Sequence, residues 1–384
     1  MRVRYYSHLQ QSTGYGRAAR ELARALVGAR VELDLRTLGP RDPGWIPAHD
    51  GLSSSRIDDP DAVIVHTLPG DCGRVLELEG LRRGAGPKLV AYTTWEALTA
   101  PEGIVQSLYD DFDQIWVPSQ PTAQAFATNG LHGSGRDRES AEHRTRVIPH
   151  CYNDSLPLPK RRHADAHEHR FRFYWVGAWT ARKNPGGLIR AFANAFRAGS
   201  RAELVLHSPG CSMDAFVVAL AATGLEQREL PSIILSNQHL SEAALAELHA
   251  EADVYVTAAR GEAWNLPAFD ALLAGRHIIA QYGLGSDEFL AGTSADLIDG
   301  WESPAQVDVS FAQASDGAVT LKTVGAQGLT SRSLWLEPNL CSLSDAMHAA
   351  FESRKRTLTT DYNVAQRFGY AAVATLVLDA LEQP

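Results

Sequence analysis

Cysteine is scarce in this sequence, and the residues present, Cys72, Cys151, Cys211 and Cys341, are far apart and form no Cys-x-x-Cys pair. That spacing fits neither a disulfide framework nor a zinc knuckle, and reduced, buried thiols are expected. Long apolar runs are missing too. No stretch of about eighteen or more apolar residues could span a bilayer, and Met1–Gln10 has no apolar core of a secretory signal. A cytoplasmic protein is expected. An excess of positive charge is likewise absent, because 36 Lys and Arg face 45 Asp and Glu, a net of −9. This balance argues against a surface built throughout to coat nucleic acid or anionic membrane, although a local basic patch stays open. Gly and Pro follow no period and charged residues make up 21% of the chain, which excludes collagen-like, coiled-coil and disordered classes. What remains is an ordinary globular chain of 384 residues. Single cores stop growing near roughly 250 residues, so two domains are expected.

Short β-rich runs alternate with amphipathic ones from the start. RVRYYSH reads as a strand, GRAARELARALVGA as a helix and VELDLRTL as a second strand, a βαβ opening. DAVIVHTL, KLVAYTTW, QIWVPS and RVIPH continue the strands, with GIVQSLYDDF and TAQAFATNG as helices between them. A parallel sheet with both faces covered follows. A polar, Pro-bounded stretch, residues 156–170, reads as a linker, and behind it the pattern restarts. FRFYWVGA, AELVLHS, SIILSN, DVYVTAA and HIIAQY are strands by composition, and NPGGLIRAFANAFRAG, MDAFVVALAATG, SEAALAELHAEA and FDALLAG are helices. The expected organisation is α/β throughout: one domain over 1–155, a second over 171–362, and a last helical segment over 363–384. Within the second, residues 301–334 read as irregular or short-stranded.

Several groups could carry chemistry. Ser12-Thr13-Gly14-Tyr15-Gly16 follows the first strand and opens the first helix, where backbone amides and the helix N-terminus suit an anion. Plain packing is the alternative reading of such a turn. No acidic residue closes the second strand at Leu35–Leu38 to hold an NAD ribose, which disfavours an oxidoreductase. His66 and Glu96 stand at C-terminal strand ends, where open α/β sheets keep their sites, and either is expected to touch an acceptor or to cap a turn. His163, His167 and His169 lie in the charged linker with neither Cys nor a compact carboxylate cluster, so no metal is expected. The richest stretch runs from Ala252 to Gly275. A strand enters a tight turn bearing Glu262, and Trp264, Asn265 and Leu266 lead into a Pro-started helix that bears Asp270.

That stretch resembles the signature of retaining GT-B glycosyltransferases of the family-4-like type, in which Glu, seven residues and Glu sit between a buried strand and a helix. Asp270 takes the place of the second Glu. A second anchor is Val176-Gly177-Ala178-Trp179-Thr180-Ala181-Arg182-Lys183-Asn184-Pro185, in which Lys183 matches the family lysine, Ala178 stands where the family has an arginine, and Arg182 is the nearest other cation. The turn Gly283-Leu284-Gly285-Ser286-Asp287-Glu288 and the element Trp335-Leu336-Glu337-Pro338 are similar to later family features. In the first half the likeness is looser. Many relatives carry a His at the tip of the strand that here ends Tyr92-Thr93-Thr94-Trp95-Glu96, and Glu96 is the nearest polar substitute.

The resemblance implies a GT-B fold, two Rossmann-like doubly wound domains facing across a cleft, with residues 1–155 presenting an acceptor, 171–362 holding the donor and the last helix crossing back. It implies a UDP- or GDP-sugar as donor substrate, no cofactor or metal, and transfer with retention of anomeric configuration. No obligate protein partner is evident. The residue chemistry agrees. Glycosyl transfer needs the departing diphosphate neutralised, by Lys183, Arg182 and the helix amides, and the cationic sugar held by a carboxylate, Glu262. Gly14, Gly16, Gly177, Trp264, Asn265, Leu266, Asp270 and Glu288 complete the expected donor contacts, and Glu96 and His66 join Glu262 as catalytic candidates. A GT-B-shaped protein that binds a sugar nucleotide without transferring it is the alternative. The cations Arg136, Arg138, Arg144, Arg146, Lys160, Arg161, Arg162, Arg170 and Arg172 are interleaved with acidic residues. They form either a mixed solvated surface or a patch that steers an anionic acceptor such as a phosphorylated sugar, a lipid head group or a modified nucleic acid.

Overall fold

The computed structural model describes residues 1–11, 13–39, 52, 54–129, 144–155, 170–305, 309–315, 318–324 and 333–383, with the backbone alone for 128–129, 309–315 and 318–324. The linker 156–169, with Lys160, Arg161, Arg162, His163, His167 and His169, lies outside the described residues, as do Ser12, Arg136 and Arg138. Among the described residues no helix is long and apolar enough to cross a membrane. The chain divides into two compact units, Met1–Leu156 with Ala305–Ser333 and Asn363–Pro384, and Pro157–Pro304 with Leu334–Tyr362. Ala305–Ser333 therefore groups with the first unit, although the sequence pattern places it in the second.

The first unit carries β1 (Arg2–Ser7), α1 (Gly14–Gly28), β2 (Glu32–Thr37), β3 (Ala62–His66), α2 (Pro69–Glu79), β4 (Lys88–Tyr92), α3 (Glu102–Asp111), β5 (Gln114–Val117), α4 (Gln120–Asn129) and β6 (Thr145–Val147). Its six strands are parallel in the order β2-β1-β3-β4-β5-β6. Strand side chains alternate between faces, so Ile64, Val90 and Tyr92 join Leu22 and Leu26 of α1 while Val63, Val65 and Leu89 join Val105 and Leu108 of α3. Burial on both faces is why these strands read as continuous apolar runs.

In the second unit β7 (Phe171–Val176), α5 (Pro185–Ala195), β8 (Ala202–His207), α6 (Met213–Ala221), β9 (Ser232–Ser236), α7 (Glu242–Glu251), β10 (Val254–Val256), α8 (Leu266–Leu273), β11 (His277–Gln281), α9 (Asp287–Leu290) and β12 (Asp296–Ile298) repeat the plan. The order is β12-β11-β10-β7-β8-β9, again parallel. Phe173 and Trp175 pack with Leu188 and Phe192 of α5 and Met347 of α10 (Leu340–Glu352). Tyr174 faces the opposite way, its hydroxyl 2.7 Å from His249 Nδ1 on α7. Short antiparallel pairs follow, β13 (Gly300–Pro304) with β16 (Leu334–Pro338) and the hairpin β14 (Val309–Ser315) with β15 (Ala318–Val324).

The last two helices, α11 (Val364–Phe368) and α12 (Tyr370–Glu382), belong to the first unit. Val373, Val377 and Leu381 of α12 pack into the α1 side of that core, and Gln114 Nε2 donates to the Ala380 carbonyl at 2.9 Å. Cys72, Cys151 and Cys211 are buried free thiols, whereas Cys341 is exposed at the start of α10, against the expectation that all are buried.

Candidate functional site

A doubly wound sheet opens a crevice where successive crossovers leave in opposite directions, and in the second unit that point lies between β7 and β10. The loops that follow these two strands run side by side. The Arg260 amide donates to the Arg182 carbonyl at 2.7 Å, and Arg182 Nη1 returns to the Gly261 carbonyl at 2.7 Å. From this crossing Lys183 Nζ reaches Glu262 Oε1 at 2.6 Å, and Arg182 Nη1 approaches Glu262 Oε2 at 3.4 Å. The Glu262 side chain is 6% exposed, that of Lys183 15% and that of Arg182 27%. Two cations thus converge on one buried carboxylate.

Each loop ends in the same device. Asn184 and Asn265 adopt left-handed φ of 52° and 73°, and their side chains accept from Gly187 N and Ala268 N to cap α5 and α8. Pro185 and Pro267 lie in the first turns, where a missing amide hydrogen costs nothing. Leu266, half-buried, opens α8 next to Glu262. A third loop closes over the pair, because Gly285 N donates to the Glu262 carbonyl at 2.8 Å. A Cβ on Gly285 would stand 2.0 Å from the Ala263 oxygen, so only glycine permits this approach.

Gly177 follows β7 with its amide on the His207 carbonyl at 3.0 Å. The Trp264 indole is 3% exposed and packs on Phe269 and Phe289, at 5.3 and 5.0 Å between ring centroids. Asp270 lies one turn into α8 with Oδ2 3.8 Å from His249 Nε2, and Glu288 is half-buried on α9. Beside it burial pushes the Asp287 carboxyl up to about 6, and its Oδ2 accepts from Gly283 N at 2.8 Å.

The first unit has its own switch point, between β1 and β3. Gly14 and Gly16 stand there, in the first unit. Gly14 opens α1 behind the Thr13 cap, and a Cβ on Gly16 would stand 2.1 Å from the Gln11 carbonyl oxygen, so this glycine lets α1 seat against the preceding loop. Between them the Tyr15 hydroxyl bonds Thr94 Oγ1, and its ring meets His66 edge-on at 5.9 Å. His66 is fully buried, with Nδ1 2.6 Å from the Tyr5 hydroxyl and its ring stacked on Tyr92 at 4.1 Å. Burial, then His150 and His8, holds His66 well below the usual histidine range, so it is neutral. His150 is pulled to about 3, by burial first and Arg17 second. Burial raises the Tyr15 hydroxyl, and the charge of the Glu96 carboxylate adds to the rise.

Sequence reasoning gave Tyr5 and Tyr15 no role and read Asn265 as a donor contact, missing that Asn184 and Asn265 are helix caps, although Asn followed at once, or one residue later, by Pro is a legible helix start. The described basic residues of the sequence patch are engaged locally. Arg144 donates to the Asp113 carbonyl at 3.0 Å and Arg146 to Gln383 Oε1 at 2.7 Å, while Arg170 donates to the Ser200 carbonyl at 3.0 Å and Arg172 pairs with Glu203 at 2.7 Å. Among the described residues no group of three or more His, Cys, Asp or Glu could hold a metal ion.

No family model matches the chain, and no curated protein matches it in sequence. Solved structures do match along its whole length. HepE of Anabaena, in complex with UDP and glucose, superposes with a TM-score of 0.63 at 14% identity, covering 100% of both chains. The fold is GT-B. Sucrose-phosphate synthase from Thermosynechococcus elongatus gives 0.63 at 15% identity over 99% of this chain and 98% of its own. The lipopolysaccharide outer core galactosyltransferase WaaB, in its apo form, gives 0.62 at 11% identity over 99% of both. In GT-B terms Lys183, Arg182 and Glu262 stand at the switch point of the second sheet, and His66 and Tyr15 meet at the switch point of the first.

Proposed function

We propose that this chain is a glycosyltransferase that moves a sugar from a nucleotide-diphosphate sugar to a hydroxyl acceptor with retention of configuration. The convergence of Lys183 and Arg182 on the buried Glu262, beside the Asn265-capped start of α8, carries the reading. A diphosphate entering here takes over the two cations and the Leu266 amide. Glu262, released from Lys183, then opposes the positive charge that grows on the sugar ring. The bond from the anomeric carbon to the phosphate oxygen breaks with its electron pair leaving on the diphosphate. The acceptor oxygen bonds from the same face, and its proton passes to the departing phosphate oxygen. Asp270 and Glu288 hold the nucleotide ribose and the donor sugar, and Gly177, whose missing Cβ accommodates the Trp175 ring, offers its backbone at the end of β7. The first unit supplies the acceptor side, with Glu96 and Tyr15 as polar contacts and neutral His66 behind them. The glycosyltransferase neighbours, HepE with its UDP and glucose among them, support this reading.

A thermal-shift screen of UDP-, GDP- and ADP-sugars tests it, because a ligand that binds only the folded state raises its stability. One nucleotide sugar should stabilise the protein and be turned over, with the product anomer matching the donor by NMR. Stabilisation without transfer or hydrolysis would select the binding protein instead, a reading that Ala178 in place of the family arginine favours. No shift with any nucleotide would overturn both.

A further inference from the structure

Arg260 lies two residues before Glu262, yet its side chain turns away from that carboxylate toward β16. Its Nη2 donates to Glu337 Oε1 at 2.9 Å while Nε bonds the second oxygen, a fork-on-fork pair whose side chains are 19% and 22% exposed. The guanidinium also covers the Trp335 ring at 5.9 Å. Two edges fixed on a carboxylate fix the third, because the group is planar and rigid. That third edge, Nη1, donates to the Ala181 carbonyl. With the Arg260 amide on the Arg182 carbonyl at 2.7 Å, one residue holds two successive carbonyls immediately before Lys183.

We propose that Arg260 and Glu337 are positioning residues, a clamp that sets the Arg182–Lys183 segment in register with Glu262 so that a nucleoside diphosphate meets both cations. The inference rests on the donor reading above. Glu337 is itself anchored from behind: β16 pairs with β13 through Trp301 opposite Glu337, and Leu336 N donates to the Arg260 carbonyl at 2.9 Å. Those backbone bonds survive when the carboxylate is altered, so β16 stays in place and only the aim of Nη1 is lost. Reacting groups set loose by an ångström lose rate and affinity steeply, whereas a nucleoside that never touches the cations is indifferent.

The experiment compares Glu337→Gln, Arg260→Lys and Lys183→Ala with wild type, measuring calorimetric affinity for UDP and for uridine, or for GDP and guanosine if the donor screen selects guanine. Glu337→Gln and Arg260→Lys should each weaken the diphosphate by about tenfold or more and leave the nucleoside within about twofold. Adding one to the other should cost little more, since both break one device. Equal losses for diphosphate and nucleoside, or no loss, would overturn the clamp while Lys183→Ala still lost the diphosphate selectively. If Lys183→Ala showed no selective loss, the donor reading would fail and the clamp with it.

Discussion

Replacing Glu262 by Gln separates the two duties that the proposed function gives this carboxylate. In the fold it balances Lys183 at 2.6 Å and Arg182 at 3.4 Å with a side chain only 6% exposed. Stripping one partner from a buried ion pair costs roughly 3–5 kcal/mol. Here Gln keeps an acceptor oxygen for Lys183, Arg182 keeps the Gly261 carbonyl, and both cations retain some solvent, so the expected loss is about 1–2 kcal/mol. A unit of this size then melts lower by roughly 2–8 °C. In catalysis the missing charge opposed the sugar cation, and removing one such stabiliser lowers turnover by about 10²–10³. Donor affinity should move the other way. UDP no longer displaces a carboxylate from Lys183, so its binding should hold or tighten by up to about tenfold, roughly 1.4 kcal/mol. Turnover by UDP release, affinity by calorimetry and melting by circular dichroism read the three effects separately. Near-wild-type turnover would refute the catalytic role, and UDP affinity falling in step with turnover would refute the exchange of partners.

Gly285→Ala should fold yet lose most activity, because the added methyl meets the Ala263 and Glu262 carbonyl oxygens at 2.0 and 2.7 Å and must push the Glu262 loop aside. Full activity would contradict that packing. Asp287→Asn should stabilise the protein in a pH-dependent way. Burial raises the Asp287 carboxyl to about 6, above its unfolded value, so ionising it disfavours the fold progressively from about pH 4 to pH 6 and fully above. The gain in melting temperature should therefore be present at pH 8 and vanish near pH 4, and an equal gain at both would count against it. Chelation should leave transfer largely intact, since Lys183, Arg182 and helix amides are assigned the diphosphate. Loss in EDTA that manganese restores would refute that assignment.

Much of the fold was legible because parallel strands buried on both faces have little choice of residue: Ala62–His66 is buried at every position, and so is Ala202–His207. Helix α2 escaped notice for an equally physical reason. It starts Pro69-Gly70 and carries Gly73 where Asp111 Oδ2 would lie 2.9 Å from a Cβ, so packing and not propensity makes it helical. The single helical pattern at the end of the chain breaks in two at Gly369, whose missing Cβ leaves room for the Ala365 carbonyl and Asp154. At the site, Lys183, Glu262 and Asp270 stood out by their resemblance to the family signature. Their pairing did not, since Lys183 and Glu262 are 79 residues apart and only the order β10 beside β7 makes them neighbours. Arg260 and Glu337, 77 apart, were hidden for the same reason.

The same pairing bears on the departure at Ala178. Without an arginine there, the end of β7 offers a diphosphate one cation fewer, but Arg182 on the same loop converges with Lys183 on the one carboxylate. Two partly buried cations side by side would be costly to fold unless an anion met them. In the structure that anion is Glu262; on the proposed function the diphosphate takes its place when donor arrives. The carboxylate therefore has to sit where it can be displaced by phosphate and still face the sugar, which restricts its position from both sides. Folding and chemistry set the same constraint on Glu262, and the close approach of Gly285 behind it leaves the loop little room to satisfy one without the other.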